Sequence, residues 1–264
     1  MSLSDPAPLK PFIDKLTARS RLGAVEQQAM LALPAHAVQV QPNHDFVRLG
    51  EQVHHACFIV AGLVGRIGLN RDGFRQITAV HIPTDMVDLH SVVVPKASSA
   101  LQALSVVTIL RVPHVALREM TRLHPAIAEA FWRECVVDAA VLAEWVVNVG
   151  RRDARGRLAH LICEIAYRIE GAGHSVGLFV PFPVTQGQMA DMVGLTPVHV
   201  NRMLKRLRDD EVVDVRSGTI RILDWTRLLD VADFDPAYLH LPETDGAPAD
   251  ETEADRPIRP ALSS

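Results

Sequence analysis

The chain lacks any apolar run of the roughly 18 residues needed to span a bilayer. Its best stretch, residues 136–149, is interrupted by Asp138 and Glu144. The first twelve residues carry Asp5 and three prolines where a secretory leader would need a basic start and a continuous apolar segment, so no membrane partner is expected and a cytoplasmic location is. Cysteine is scarce: Cys57, Cys135 and Cys163 are odd in number and far apart, which excludes a disulfide framework and a CxxC metal knuckle and leaves buried free thiols. HExxH, P-loop and dinucleotide fingerprints are missing, so neither a catalytic residue nor a cofactor is assigned and an enzyme is not expected. A general surplus of cations is missing too, since the net charge is -4. That charge is local: Glu243, Asp245, Asp250, Glu251, Glu253 and Asp255 face only Arg256 and Arg259.

What is present fits about two compact domains. Residues 241–264, acidic and rich in Pro and Ala without apolar periodicity, read as a disordered tail. Between 37 and 112, short apolar runs alternate with the turn signals Pro42-Asn43, Gly50-Glu51, Ala61-Gly62 and Asn70-Arg71-Asp72-Gly73. This pattern predicts a small antiparallel roll, assigned to residues 10–112. After Pro113 one short and one long helix are expected over residues 113–150. The second half of that stretch is apolar on nearly every face, so it needs cover on more than one side. The roll and the same helix of a second copy would supply it, with Phe131, Val137, Val141, Leu142 and Trp145 as the dimerisation residues. The segment from Arg151 to Gly156 breaks the pattern with a hinge glycine and marks the boundary of a third region, residues 151–240.

Within that region, residues 185–193 read as a short helix with Thr185 at its N-cap. Gly194 supplies a left-handed stop, and Thr196 caps a second helix with Pro197 in its first turn. Two helices joined by a short glycine turn are the sequence form of a helix-turn-helix. The second helix buries Val200, Met203, Leu204 and Leu207 at helical spacing and leaves His199, Asn201, Arg202, Lys205, Arg206 and Arg208 outward, with no acid before Asp209. Such a face suits the major groove of double-stranded operator DNA: early residues reach base edges while later cations meet phosphates. Residues 212–222 predict two strands around a Ser-Gly turn, a wing. The DNA-contacting set is Thr185, Gln186, Thr196, Val198, His199, Asn201, Arg202, Lys205 and Arg206. Because residues 151–240 hold equal numbers of basic and acidic side chains, binding must come from this local face.

The segment from Thr185 to Arg208 resembles the Crp/Fnr superfamily, the regulators related to the cyclic-AMP receptor protein and the fumarate-nitrate regulator. Gly194-Leu195-Thr196-Pro197-Val198-His199-Val200-Asn201-Arg202 carries the likeness best, supported by Arg48-Leu49-Gly50-Glu51, Phe58-Ile59-Val60-Ala61-Gly62 and Gly156-Arg157-Leu158-Ala159. The resemblance, over about residues 10–235, implies an α+β chain: an N-terminal antiparallel roll of the cyclic-nucleotide-binding kind, a long dimerisation helix and a C-terminal winged helix-turn-helix. It implies a homodimeric transcription regulator, with RNA polymerase as a further partner. The family's recognition-helix Arg falls on Arg202, a candidate to read guanine O6 and N7. Its usual Glu is replaced by Val198, which can touch a thymine methyl but cannot accept from cytosine.

The sensor departs further. The family's ribose-contacting Gly-Glu-Leu reads Val87-Asp88-Leu89, its phosphate Arg-Ser or Arg-Thr reads Ser98-Ser99, and its adenine-facing residues are replaced by Leu142 and Ala143. Without the guanidinium a buried phosphate lacks its main partner, so cyclic-AMP dependence is not expected. Residues 1–30 contain no cysteine for an iron-sulfur cluster. Cys57 and the roll histidines His54, His55, His81 and His90 read as ordinary side chains in preference to a redox thiol or haem ligands. The alternative function is a small-molecule or redox sensor protein that signals by protein-protein contact and carries a vestigial DNA-binding module.

Overall fold

A computed structural model describes residues 8–171, 179–216 and 218–241. The acidic tail and Ser217 of the wing turn lie outside the described residues.

The chain opens with two helices, α1 (Lys10–Arg19) and α2 (Ala24–Leu31), before the first strand. The N-terminal part of the expected roll is therefore helical. Phe12, Ile13 and Leu16 give α1 one buried face. Eight strands follow: β1 (His36–Val40), β2 (Asp45–Val47), β3 (His55–Ala61), β4 (Val64–Leu69), β5 (Arg75–His81), β6 (Met86–Val87), β7 (Ala100–Ala103) and β8 (Val107–Pro113). They form two four-stranded antiparallel sheets, ordered β1-β8-β3-β6 and β2-β7-β4-β5. Val47, Cys57, Ile59, Val64, Val87, Leu101, Val107 and Ile109 fill the space between them. The turns match the predicted signals. Gly62 has φ +86°, and a Cβ there would meet the Val106 carbonyl oxygen at 2.3 Å, so the tight crossing from β3 to β4 requires glycine.

Two more helices, α3 (His114–Leu123) and α4 (Pro125–Arg151), confirm the short-then-long reading. Phe12, Phe58 and Phe131 pack together where α1, β3 and α4 meet. Helix α5 (Ala154–Gly171) starts after only Arg152 and Asp153. Gly156 lies inside its first turn, where Asp153 Oδ1 accepts from the Gly156 amide at 2.7 Å. A Cβ there would come 3.4 Å from the Val231 carbonyl, so this glycine serves close packing and not a hinge.

Strand β9 (Phe179–Pro181), helices α6 (Gln186–Val193) and α7 (Pro197–Asp209), strands β10 (Val213–Arg216) and β11 (Thr219–Ile222) and helix α8 (Trp225–Ala232) complete the C-terminal region. The wing is three-stranded, in the order β10-β11-β9. One apolar cluster runs from Leu63, Ile77 and Leu104 of the roll through Val141 and Trp145 into Ile162, Met189, Val200 and Leu207, so no break in packing separates the roll from the C-terminal helices. None of the helices formed by the described residues is long and apolar enough to cross a membrane.

Candidate nucleic-acid interface

The geometry of α6 and α7 follows from local chemistry. Thr185 Oγ accepts from the Gln188 amide at 3.1 Å, while Gln188 Oε1 accepts from the Thr185 amide at 2.7 Å. This reciprocal box satisfies two amides that the first turn would otherwise leave open. Gly194 adopts φ +64°, ψ 41° and ends α6. Thr196 then caps α7, accepting from the His199 amide at 3.3 Å, with Pro197 in the first turn. Val200, Met203, Leu204 and Leu207 are buried, as the spacing predicts.

The other face is open. Thr185, Gln186, Thr196, Val198, His199, Asn201, Arg202, Lys205 and Arg206 are all exposed, Val198 at 78%. Asn201 Nδ2 lies 3.5 Å from Gln186 Oε1, which places the start of α6 beside the outer face of α7. Among the described residues Arg202, Lys205 and Arg206 make no ion pair, so their charges are available to an anion. Arg208 differs. Its Nε donates to Asp214 Oδ1 at 2.9 Å, and Asp214 Oδ2 also holds Arg216 Nε at 2.7 Å, which ties α7 to the wing. A sequence of alternating signs does not reveal this pairing, because it joins two elements. The wing adds Arg216 and Arg221, which sequence reasoning did not select; the Arg221 guanidinium lies 5.5 Å from the centroid of the Phe179 ring.

The surface is mounted on the roll. Arg75 Nε donates to Asp191 Oδ2 at 2.7 Å, Gln76 Nε2 to the Met192 carbonyl at 3.1 Å, and Gln188 Nε2 to the Leu104 carbonyl at 3.3 Å. α6 is thus fixed to β5 and the β7–β8 turn, while α7 stays free on its outer side.

Four of the five residues chosen for dimerisation turn into the chain itself. Phe131, Val137, Val141 and Trp145 are buried inside the chain's own core, at 6–8% exposure, and only Leu142 reaches the surface. Trp145 Nε1 donates to Glu164 Oε2 at 2.7 Å, which fixes the ring inward against α5. The open stripe of α4 is instead Trp132, Val136, Ala139, Ala143, Val146 and Gly150, alternately four and three residues apart. An all-round apolar composition hid which side the chain itself covers.

In the roll, Asp88 takes the position that the resemblance gives to the ribose-contacting Glu, with φ +54°. Its Oδ1 accepts from the Cys57 amide at 3.2 Å, its Oδ2 has no partner, and burial pushes the carboxyl up to about 7. Burial, with Asp88 beside it, also drives the Cys57 thiol well above its ordinary range, which leaves little thiolate for redox chemistry. His54 and His90 are exposed and His81 is buried; among the described residues no three His, Cys, Asp or Glu side chains gather as a metal set. One pattern that sequence reasoning passed over is Gly173-His174-Ser175-Val176-Gly177, a GxSxG string. It lies outside the described residues, and it follows helix α5 and precedes strand β9, the reverse of the strand-to-helix context that makes such a serine a nucleophile.

Comparisons with known proteins agree with this geometry. Residues 156–231 match the model of the Crp-like helix-turn-helix domain. The chain is 23% identical over 193 residues to the fumarate and nitrate reduction regulatory protein of Vibrio cholerae, covering 73% of this chain and 77% of that one. It is also 23% identical over 192 residues to the anaerobic regulatory protein of Haemophilus influenzae, covering 73% and 74%. Among solved structures it is similar to FixK2 from Bradyrhizobium japonicum, with a TM-score of 0.67, 20% identity and coverage of 75% and 98%. A CooA variant from Carboxydothermus hydrogenoformans gives a TM-score of 0.61 at 16% identity, with coverage of 88% and 98%. With the capped helix pair, the wing and the two-sheeted roll in place, residues 156–231 form a Crp-like helix-turn-helix domain, and the chain as a whole is similar to DNA-binding regulators of the Crp/Fnr kind.

Proposed function

We propose that the protein acts in the cytoplasm as a homodimer that reads a two-fold symmetric operator through α7, and that its roll does not take a cyclic nucleotide. The observation that carries this reading is the exposed face of α7, where Arg202, Lys205 and Arg206 stand without ion partners among the described residues, beside Val198, His199 and Asn201. Arg202 reads a base edge, and Lys205 and Arg206 hold phosphates. The open α4 stripe pairs with its copy, since Trp132 and Val146 are each 70% exposed and the stripe keeps the seven-residue repeat of a helix-helix seam. Dimerisation doubles a small cationic face, which a neutral C-terminal region needs for tight binding. Contact with RNA polymerase follows from the regulator class.

The test is fluorescence anisotropy with promoter DNA upstream of the protein's own gene, across a salt series. Arg202→Ala should cost about 1–3 kcal/mol on the specific site and little on random DNA. Lys205→Ala should weaken both alike and flatten the salt slope by about one charge per protomer. Full specific binding by Arg202→Ala would overturn the assignment, and absence of any salt-sensitive DNA association would favour signalling by protein-protein contact.

A further inference from the structure

The described residues end at Leu241, in the wall of a surface groove between α1 and α4. Arg19, Arg133, Val136, Val137 and Leu241 help line its near half, about 360 Å³. Arg19, Ser20, Arg21, Ala126, Glu129 and Arg133 help line its far half, about 530 Å³. Ala18, Arg19 and Arg133 belong to both halves, so the groove is continuous. Neither half is lined by a strand of the roll.

Its walls are cationic and carry donors without acceptors. Arg19, Arg21 and Arg133 share them with a single carboxylate, Glu129, which Arg133 Nη2 meets at 3.1 Å. Arg21 is exposed and makes no ion pair among the described residues. The Arg19 side chain is only 8% exposed: its Nη1 donates to Glu134 Oε1 at 2.9 Å and its Nη2 to the Leu239 carbonyl at 3.2 Å, but its Nε has no partner. The Ser20 hydroxyl beside it is buried and has none either. A buried donor left without an acceptor is costly. The sequence supplies acceptors at the exit, because residues 242–255 hold Glu243, Asp245, Asp250, Glu251, Glu253 and Asp255 and no cation.

We propose that residues 242–247, the start of the acidic segment, dock in the α1–α4 groove of their own chain. From Val137 back to Ala126 the groove follows about eleven residues of α4, or about 16 Å, which about five extended residues cover. Pro242 favours extended backbone at Leu241. Glu243 then comes within reach of Arg133 and Arg19, and Asp245 within reach of Arg21 and Ser20. Each contact lies at the surface and is weak and screened by salt. The occupant is joined to the groove through Leu241 with no spacer, so its effective concentration is high. Docking straps α1 to α4 and neutralises a cationic surface remote in sequence from α7. It does not rest on the DNA reading, and its failure would leave that reading standing.

The test is digestion of the full-length protein by a glutamyl endopeptidase, with mass spectrometry reading scission after Glu243 and after Glu253, and a synthetic peptide of residues 239–257 giving the intrinsic rate of each bond. Scission after Glu243 should run about fivefold or more below the peptide rate at low salt, because cleavage follows the undocked population. That slowing should vanish near 0.5 M sodium chloride, roughly where screening becomes strong, while Glu253, beyond the groove, is cut at about the peptide rate throughout. Arg21→Glu with Arg133→Glu should abolish the slowing, and so should Asp245→Lys, which leaves the groove intact and keeps the test valid if the arginine variants do not fold. Arg21→Glu combined with Asp245→Lys should restore part of it. The slowing should persist in Val146→Glu, which breaks the open α4 stripe. Scission after Glu243 at the peptide rate in the wild type, or slowing that salt and both sets of variants leave unchanged, would overturn the proposal. Loss of the slowing in Val146→Glu would assign the groove to the segment of a second copy and overturn docking within one chain.

Discussion

Replacing Asp88 by Asn should stabilise the protein, and increasingly so as the pH rises. Asp88 sits in the left-handed region at φ +54°, is 4% exposed, and has one oxygen on the Cys57 amide and the other without a partner. Burial raises its pKa from 3.8 to about 7. For an acid raised on folding, the unfolded state gives up the proton first, so stability falls as pH rises from the unfolded value through the folded one. A shift of about three units corresponds to roughly 4 kcal/mol, fully lost above pH 8 or so. Asparagine keeps the acceptor for Cys57, tolerates the left-handed backbone and never ionises. Urea unfolding should therefore show Asp88→Asn gaining about 2–3 kcal/mol on wild type between pH 5 and pH 8.5. A stability difference that is flat with pH, or that shrinks as pH rises, would refute the argument that Asp88 is held as a buried, proton-bearing acid.

Other consequences follow from the same geometry. Val146→Glu places a charge at the centre of the open α4 stripe and should shift the protein to monomer in sedimentation while leaving its fold intact, whereas a substitution at the inward Trp145 should lower stability instead. Thr185→Ala removes the hydroxyl of the capping box and should cost about 1 kcal/mol in urea unfolding. Asp214→Asn releases Arg208 and Arg216 from their shared carboxylate, so affinity for random DNA should rise and its salt slope should steepen.

The helix-turn-helix was legible because its signals are local. A cap at Thr185, a left-handed stop at Gly194 and a second cap at Thr196 act within a few residues, and all three geometries were found. The roll's strands were marked by turn chemistry such as Gly62 and Gly73, both at positive φ. Pairing across the fold was not legible. The sense in which α4 turns its apolar faces, with Trp145 inward and Val146 outward, is set by α5 and the roll, which the helix sequence does not contain. Helices α1 and α2 went unassigned because their faces are completed by β3, α3 and α4. Gly156 resembled a hinge because glycine in a break and glycine under a crossing helix look alike in one dimension.

The central claim is that two copies of this chain present α7 to successive turns of a major groove. Selection of bound sequences from a random DNA pool by the full-length protein tests it most directly. The account predicts enrichment of an inverted repeat whose half-sites lie about one helical turn, 10–10.5 base pairs, apart, with a guanine whose enrichment disappears when Arg202→Ala is used. Enrichment without two-fold symmetry, or a motif that Arg202→Ala selects unchanged, would contradict it.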